Sequence, residues 1–184
     1  MDSHARLHCE LTGFLRQHCP VRDQRHLVLL AWMVAALLLS ETVCFDRWRS
    51  RLPLGHCLAS SWQRRCQRWL SNRRIDVEAL YGPLIVWAIQ HWQNPGHTLH
   101  LALDTTMLWN RFCVVVLSVV AHGRAIPLLW QTLEHPSASV SASVSIALLE
   151  KADRFLAGFE SITLLADRAF PCDELIAWFR DRPH

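Results

Sequence analysis

The chain has 184 residues, enough to bury a core in one domain or two small ones, and with 51% hydrophobic and 19% charged residues it is not a disordered chain. Seven cysteines, an odd number with no C-x-x-C pair, argue against a disulfide framework or a zinc module and fit a reducing cytoplasm. The net charge of +3 conceals a division: residues 1–96 hold 12 Arg and 7 acidic residues, residues 97–184 hold 7 basic and 9 acidic ones, which points to a nucleic-acid-binding part beside an acidic site.

Met1–Leu11 is polar and lacks the apolar stretch of a signal peptide. Ala5–His18 reads as a short helix with Leu7, Leu11, Phe14 and Leu15 on one face, ended by Pro20. Leu27–Leu39, within a helix from His26 to about Leu39, is almost wholly apolar. Its 13 residues fall short of the roughly 20 that span a bilayer, so a buried core helix is expected and no membrane association. Ser40 and Thr42 offer N-caps for a helix running to about Arg51, with Val43, Trp48 and Leu52 inward; Pro53 and Gly55 then break the chain.

The next helix is the most informative of the front half. Leu58, Trp62, Cys66, Trp69 and Leu70 recur at helical spacing. Arg64, Arg65 and Arg68 project from the remaining surface, and Arg73 and Arg74 follow at its end. Eight arginines and no acidic residue lie between Arg47 and Arg74. Three short helices with a basic last member resemble a helix-turn-helix cluster, whose last helix lies in a DNA groove; an ordinary solvated arginine face is the plainer reading. Arginine forks bind phosphate bidentately and also read guanine. Asp76 caps a further turn, and Pro83 suits the first turn of a helix through Trp92 that buries Leu84, Ile85, Ala88 and Ile89. Gln93–Gly96 is a turn or linker, which divides the chain into a helical, arginine-rich region 1–96 and a second domain 97–184.

That second domain begins with Thr98–Thr106, where Leu99, Leu101 and Leu103 alternate with His100, Ala102 and Asp104, the period of a strand that ends on an aspartate. Phe112–Ala121 is a second strand, His122-Gly123 a hairpin turn, and Ala125–Leu133 a third strand whose Pro127 suits a sheet edge. Val140, Val144, Leu148, Ala152 and Phe155 mark a helix ending at Gly158. Ser161–Asp167 climbs again through apolar residues to a carboxylate, and Cys172–Arg180 begins another helix. A three-strand meander followed by a crossover helix returns the fourth strand parallel to the first. Functional groups gather at the carboxyl ends of strands in such folds. Parallel neighbours lie about 4.8 Å apart, so Asp104 and Asp167 are placed to share a divalent cation. A lone strand-end aspartate would otherwise be a turn or capping residue.

This order of elements looks like the N-terminal part of a ribonuclease-H-like mixed sheet, an α+β (or α/β) fold behind an all-helical region. L-A-L-D-T-T at 101–106, G-R-A-I-P-L-L-W at 123–130 and L-L-A-D-R-A-F at 164–170 resemble the DDE-type transposases of bacterial cut-and-paste insertion sequences. The resemblance covers most of residues 97–170, and the arginine-rich region 1–96 is similar, less distinctively, to what precedes the catalytic core in that family. It implies that Asp104 and Asp167 are the first two acids of the triad, holding two Mg²⁺ or Mn²⁺ ions about 3.5–4 Å apart around a scissile phosphodiester of transposon-end DNA. It gives Thr105 and Thr106 an orienting role and Arg168 a contact to the DNA backbone.

Two departures qualify that expectation. Ala169 stands where the family commonly has glycine after the D-R pair. The third acid, a glutamate on a helix well beyond the second aspartate, has no counterpart, since only 17 residues follow Asp167. Asp173 and Glu174 lie too close to it in sequence, and Glu150 and Asp153 belong to the crossover helix. The expectation is therefore a truncated or split transposase, catalytically incomplete, that self-associates or pairs with full-length protein. A non-catalytic DNA-binding or inhibitory module is the alternative, and a small membrane-associated protein built on Leu27–Leu39 the remote one.

Overall fold

The computed structural model describes residues 3–48, 51–52, 59–92, 98–157, 159–168, 170 and 172–180. The chain separates into two compact units, residues 1–84 and 85–184, with the dividing point inside one helix.

The first unit is built around α2 (Gln24–Ser40). Leu27 and Ala31 lie on one side of it, packed with Leu15 and Cys19 from α1 (Ser3–His18) and its extension and with Leu80. Leu29, Met33 and Ala36 lie on another, packed with Trp48 of α3 (Phe45–Trp48), Leu52, and Trp62 and Cys66 of α4 (Ala59–Leu70). A helix covered on two sides needs apolar residues nearly all round, which explains the run that looked most like a membrane segment. Among the described residues no helix is long and apolar enough to cross a membrane. Asp23 caps α2 by accepting a hydrogen bond from the Arg25 backbone N–H at 3.0 Å. The Arg25 guanidinium, with that N–H, holds the Asp23 carboxyl down to about 2. The six described cysteines are free thiols, and burial pushes the Cys66 thiol up to about 11.

Three helical expectations need correction. The helix expected from Ser40 starts only at Phe45, as α3, because the Thr42 hydroxyl accepts from the Cys44 N–H at 3.2 Å and holds the chain in a turn. Val43 is consequently exposed, while Trp48 and Leu52 are buried as expected. Leu70 is exposed too, lying about 80° round α4 from Trp62 at 100° per residue. Pro83 sits inside α5 (Val77–Trp92) rather than opening it. The Asp76 carboxylate sets the start four residues before Leu80, accepting from the Ala79 N–H at 3.1 Å, and Ile85, Ala88 and Ile89 are buried. Leu58, Pro53, Gly55, the Gln93–Gly96 linker, Gly158 and Ala169 lie outside the described residues.

The second unit carries one mixed sheet in the order β3-β2-β1-β4. β1 (Thr98–Leu108), β2 (Phe112–Ala121) and β3 (Arg124–Glu134) form the antiparallel meander. β4 (Ser161–Ala166) joins β1 in parallel after the crossover helix α6 (Ala142–Leu156), and α7 (Asp173–Arg180) follows. His122 and Gly123 both take positive φ, as a two-residue hairpin turn between twisted strands requires. Pro127 sits on the edge strand at a register shift, where Leu117 faces Leu129 but Ser118 faces Pro127, leaving Leu128 as the extra residue. Leu99, Leu101, Leu103, Cys113, Val115, Leu117 and Val119 are all buried. Register puts them on one face, and α6 and α7 cover it, with Leu149, Leu156, Trp178 and Phe179 grouped against Leu101 and Ile162.

The opposite face is only half-buried, with Val114 and Val116 partly covered and Leu165 47% exposed. Among the described residues β4 pairs with β1 alone. An open strand edge beside exposed leucine is a template for association. The purified chain is expected to self-associate in light scattering; a monomer that melts in one cooperative step would contradict this.

Candidate metal and nucleic-acid site

Strand register relates the two aspartates. Parallel pairing of β1 with β4 runs from Thr98 opposite Ser161 to Leu103 opposite Ala166. Asp104 and Asp167 are the next residue on each side, one step beyond the last pair. Side chains alternate along a strand, so Asp104, inside β1, projects on the face opposite buried Leu101 and Leu103; Asp167 directly follows the last residue of β4. Both are exposed.

The two residues share a local arrangement. Asp104 Oδ1 accepts from the backbone N–H of Thr105 at 2.8 Å. Asp167 Oδ1 accepts from the backbone N–H of Arg168 at 2.5 Å. Each carboxylate is thereby steadied by one oxygen, leaving the other to meet a ligand. Exposed carboxylates are hard-oxygen donors, the kind that suit Mg²⁺ or Mn²⁺ with water completing the shell. Among the described residues no group of three or more His, Cys, Asp or Glu is arranged to hold a metal ion.

One feature of the expected geometry is corrected. Asp104 does not end its strand: β1 continues to Leu108, paired with β2 from Asp104 opposite Val116 to Leu108 opposite Phe112. It is the parallel neighbour that stops, so Asp104 emerges at the end of β4 rather than of β1. The Thr105 side chain, paired with buried Val115, points to the α6 side, so Thr105 orients Asp104 through its backbone N–H alone. Thr106 returns to the aspartate face and is exposed, and Arg168 is exposed beside Asp167.

The arginines belong to the first unit. Arg64, Arg65 and Arg68 are exposed on α4, away from buried Trp62 and Cys66, and Arg73 and Arg74 are exposed just beyond its end. Ser61, Arg64, Gln67, Arg68 and Ser71 line one open depression. Arg65 lies over the Trp62 ring, 5.9 Å from its centroid, and Arg68 Nε donates to the Arg64 carbonyl at 3.3 Å. These contacts leave guanidinium N–H groups directed outward, a donor array suited to phosphate. No family model matches the chain, and no curated protein matches it.

Sequence reasoning missed the tip of the β1–β2 hairpin. Trp109 and Asn110 occupy it, both at positive φ, with the indole 86% exposed. The signal was present in Asn110, a residue that tolerates this conformation, placed between two strand-like runs.

Proposed function

We propose that the chain is the DNA-binding and metal-binding part of a DDE-type transposase with a ribonuclease-H-like core. In this reading Asp104 and Asp167 supply two of its three metal-holding acids. The observation that supports the reading is the parallel register of β1 against β4 up to Leu103 opposite Ala166, with Asp104 and Asp167 the next residue on each strand, both exposed and each accepting from the following backbone N–H. The strand order β3-β2-β1-β4, with β1 parallel to β4, is compatible with the fold that the resemblance implies.

Asp104 and Asp167 would hold Mg²⁺ or Mn²⁺, which in such enzymes polarises the scissile phosphodiester and activates water or a 3′-hydroxyl. The chain's own contribution is placement. The sheet fixes the two carboxylates, the Thr105 and Arg168 amides orient them, and the Arg168 side chain meets the DNA backbone. Arg64, Arg65, Arg68, Arg73 and Arg74 bind double-stranded DNA, the transposon end in this reading. A third acid of the triad has no counterpart among residues 1–184. Strand cleavage by this chain alone is therefore not expected.

A Mn²⁺ titration followed by electron paramagnetic resonance tests the reading. Wild type is expected to bind the ion, and Asp167→Asn to weaken binding about tenfold or more. Equal binding by the two proteins would leave a non-catalytic DNA-binding module as the better account. Metal-dependent nicking by wild type that vanishes in Asp104→Asn would show that the site is complete as it stands.

A further inference from the structure

We propose that Trp109 is a nucleobase contact, an indole held out to stack on an unpaired base of DNA whose backbone lies at Asp104 and Asp167. The proposal rests on the DNA reading above and adds to it the structure of the DNA, an end with unpaired bases rather than a closed duplex.

Beyond Asp104 the sheet continues without β4. β1 and β2 stay paired to Leu108 opposite Phe112, and β2 and β3 to Phe112 opposite Glu134. This three-stranded extension reaches four residues past Asp104, about 13 Å at 3.3 Å per residue. It leaves the same end of the sheet at which the two carboxylates emerge. Its length corresponds to about four base steps of 3.4 Å along one strand.

The tip of the extension is built at a conformational cost. Trp109 has φ 52° and Asn110 φ 51°, and the Arg111 N–H closes the turn on the Leu108 carbonyl at 3.1 Å. Asparagine enters the left-handed region readily, but for a bulky side chain it is an outlier. Burial does not compensate the indole, since 86% of the residue is exposed. Its ring meets Phe112 edge-on, with centroids 6.4 Å apart. The hairpin turn itself requires the two positive φ values; what the turn does not require is a bulky, exposed indole at the first of them, where glycine or asparagine would carry no strain.

The base of the tip is braced. Arg111 bonds Glu134 Oε1 through Nε at 3.0 Å and Nη2 at 2.8 Å, and its guanidinium lies over the Phe112 ring, 5.1 Å from the centroid. Trp109 is thus carried on a stiff arm. A flat, exposed π-face with an N–H at its edge, on the strand that carries the proposed metal-holding Asp104, suits a nucleobase. Stacking asks for no particular base, because every base has a π-face. Inside a duplex those faces are hidden, so the contact requires a frayed or unpaired end.

Fluorescence anisotropy with the full chain tests this, using a labelled blunt duplex and the same duplex carrying unpaired bases at one end. Wild type is expected to prefer the open end by about tenfold. Trp109→Gly is expected to lose that preference while binding the blunt duplex as wild type does, and Trp109→Phe to keep most of it. Because glycine accepts positive φ without strain, Trp109→Gly is also expected to melt at the same temperature as wild type or higher. Lower melting, an unchanged preference, or dissociation of an oligomer by Trp109→Gly would each overturn the proposal, the last by showing a protein contact. Failure of wild type to bind either duplex would instead overturn the DNA reading on which it stands.

Discussion

Replacing Arg64, Arg65 and Arg68 together by alanine is expected to weaken binding to duplex DNA about a hundredfold near 0.1 M salt and to flatten its salt dependence. Each arginine that neutralises a phosphate releases counterions, so the logarithm of the binding constant falls against the logarithm of salt with a slope of about −0.9 per contact. Losing three contacts reduces that slope by close to three. The three side chains are exposed on one helix whose other side is anchored by Trp62 and Cys66. Their removal leaves the packing intact and should change stability by no more than about 0.5 kcal/mol each. Anisotropy titrations of a labelled duplex over a salt series read both quantities, and circular dichroism confirms the fold. An unchanged slope would mean that these arginines form an ordinary solvated face.

Leu101→Ala is expected to cost about 2–5 kcal/mol, as truncating a fully buried leucine does. A whole domain is stable by only about 5–15 kcal/mol, so much of the cooperative urea transition should be lost. Leu101 sits in the middle of β1, 1% exposed, paired with Val119 on one side and Leu164 on the other. Leu149, Leu156, Ile162, Trp178 and Phe179 lie around it under α6 and α7. The cavity therefore opens where sheet and helices meet, and the β1–β4 pairing that places the aspartates weakens with it. Leu165→Ala, on the open face of β4, is the control and should cost under about 1 kcal/mol. Equal effects from the two substitutions would contradict the deeper burial of Leu101.

Much of the second unit was legible because its strands follow a single period. Leu99, Leu101 and Leu103 alternate with smaller or polar residues, the Val-rich β2 is bounded by a His-Gly turn, and Pro127 announces an edge. The end of β1 was not legible. Asp104 faces solvent, and a polar residue on an open face looks locally like the end of a strand. Thr105–Leu108 stay in the sheet because β2 offers partners, which local sequence does not reveal. The helical unit shows the same division. Spacing finds Trp62, Cys66 and Trp48, but not that the turn at Thr42 leaves Val43 outside α3 or that Leu70 lies round α4 from the buried side. Pro83 was read as a helix start because proline favours that position, but the Asp76 cap outweighs that preference. The register of β4 against β1, with Leu103 opposite Ala166, is set by the crossover, and no residue type announces it.

The shared cation is tested most directly by a double-mutant cycle on Mn²⁺ affinity, with wild type, Asp104→Asn, Asp167→Asn and the double variant compared by electron paramagnetic resonance. If both carboxylates grip one ion, each single substitution removes most of the affinity and the double variant binds little more weakly than either, a strongly non-additive cycle. Affinity losses that simply multiply, or a single substitution without effect, would show that residues 104 and 167 do not serve a common ion.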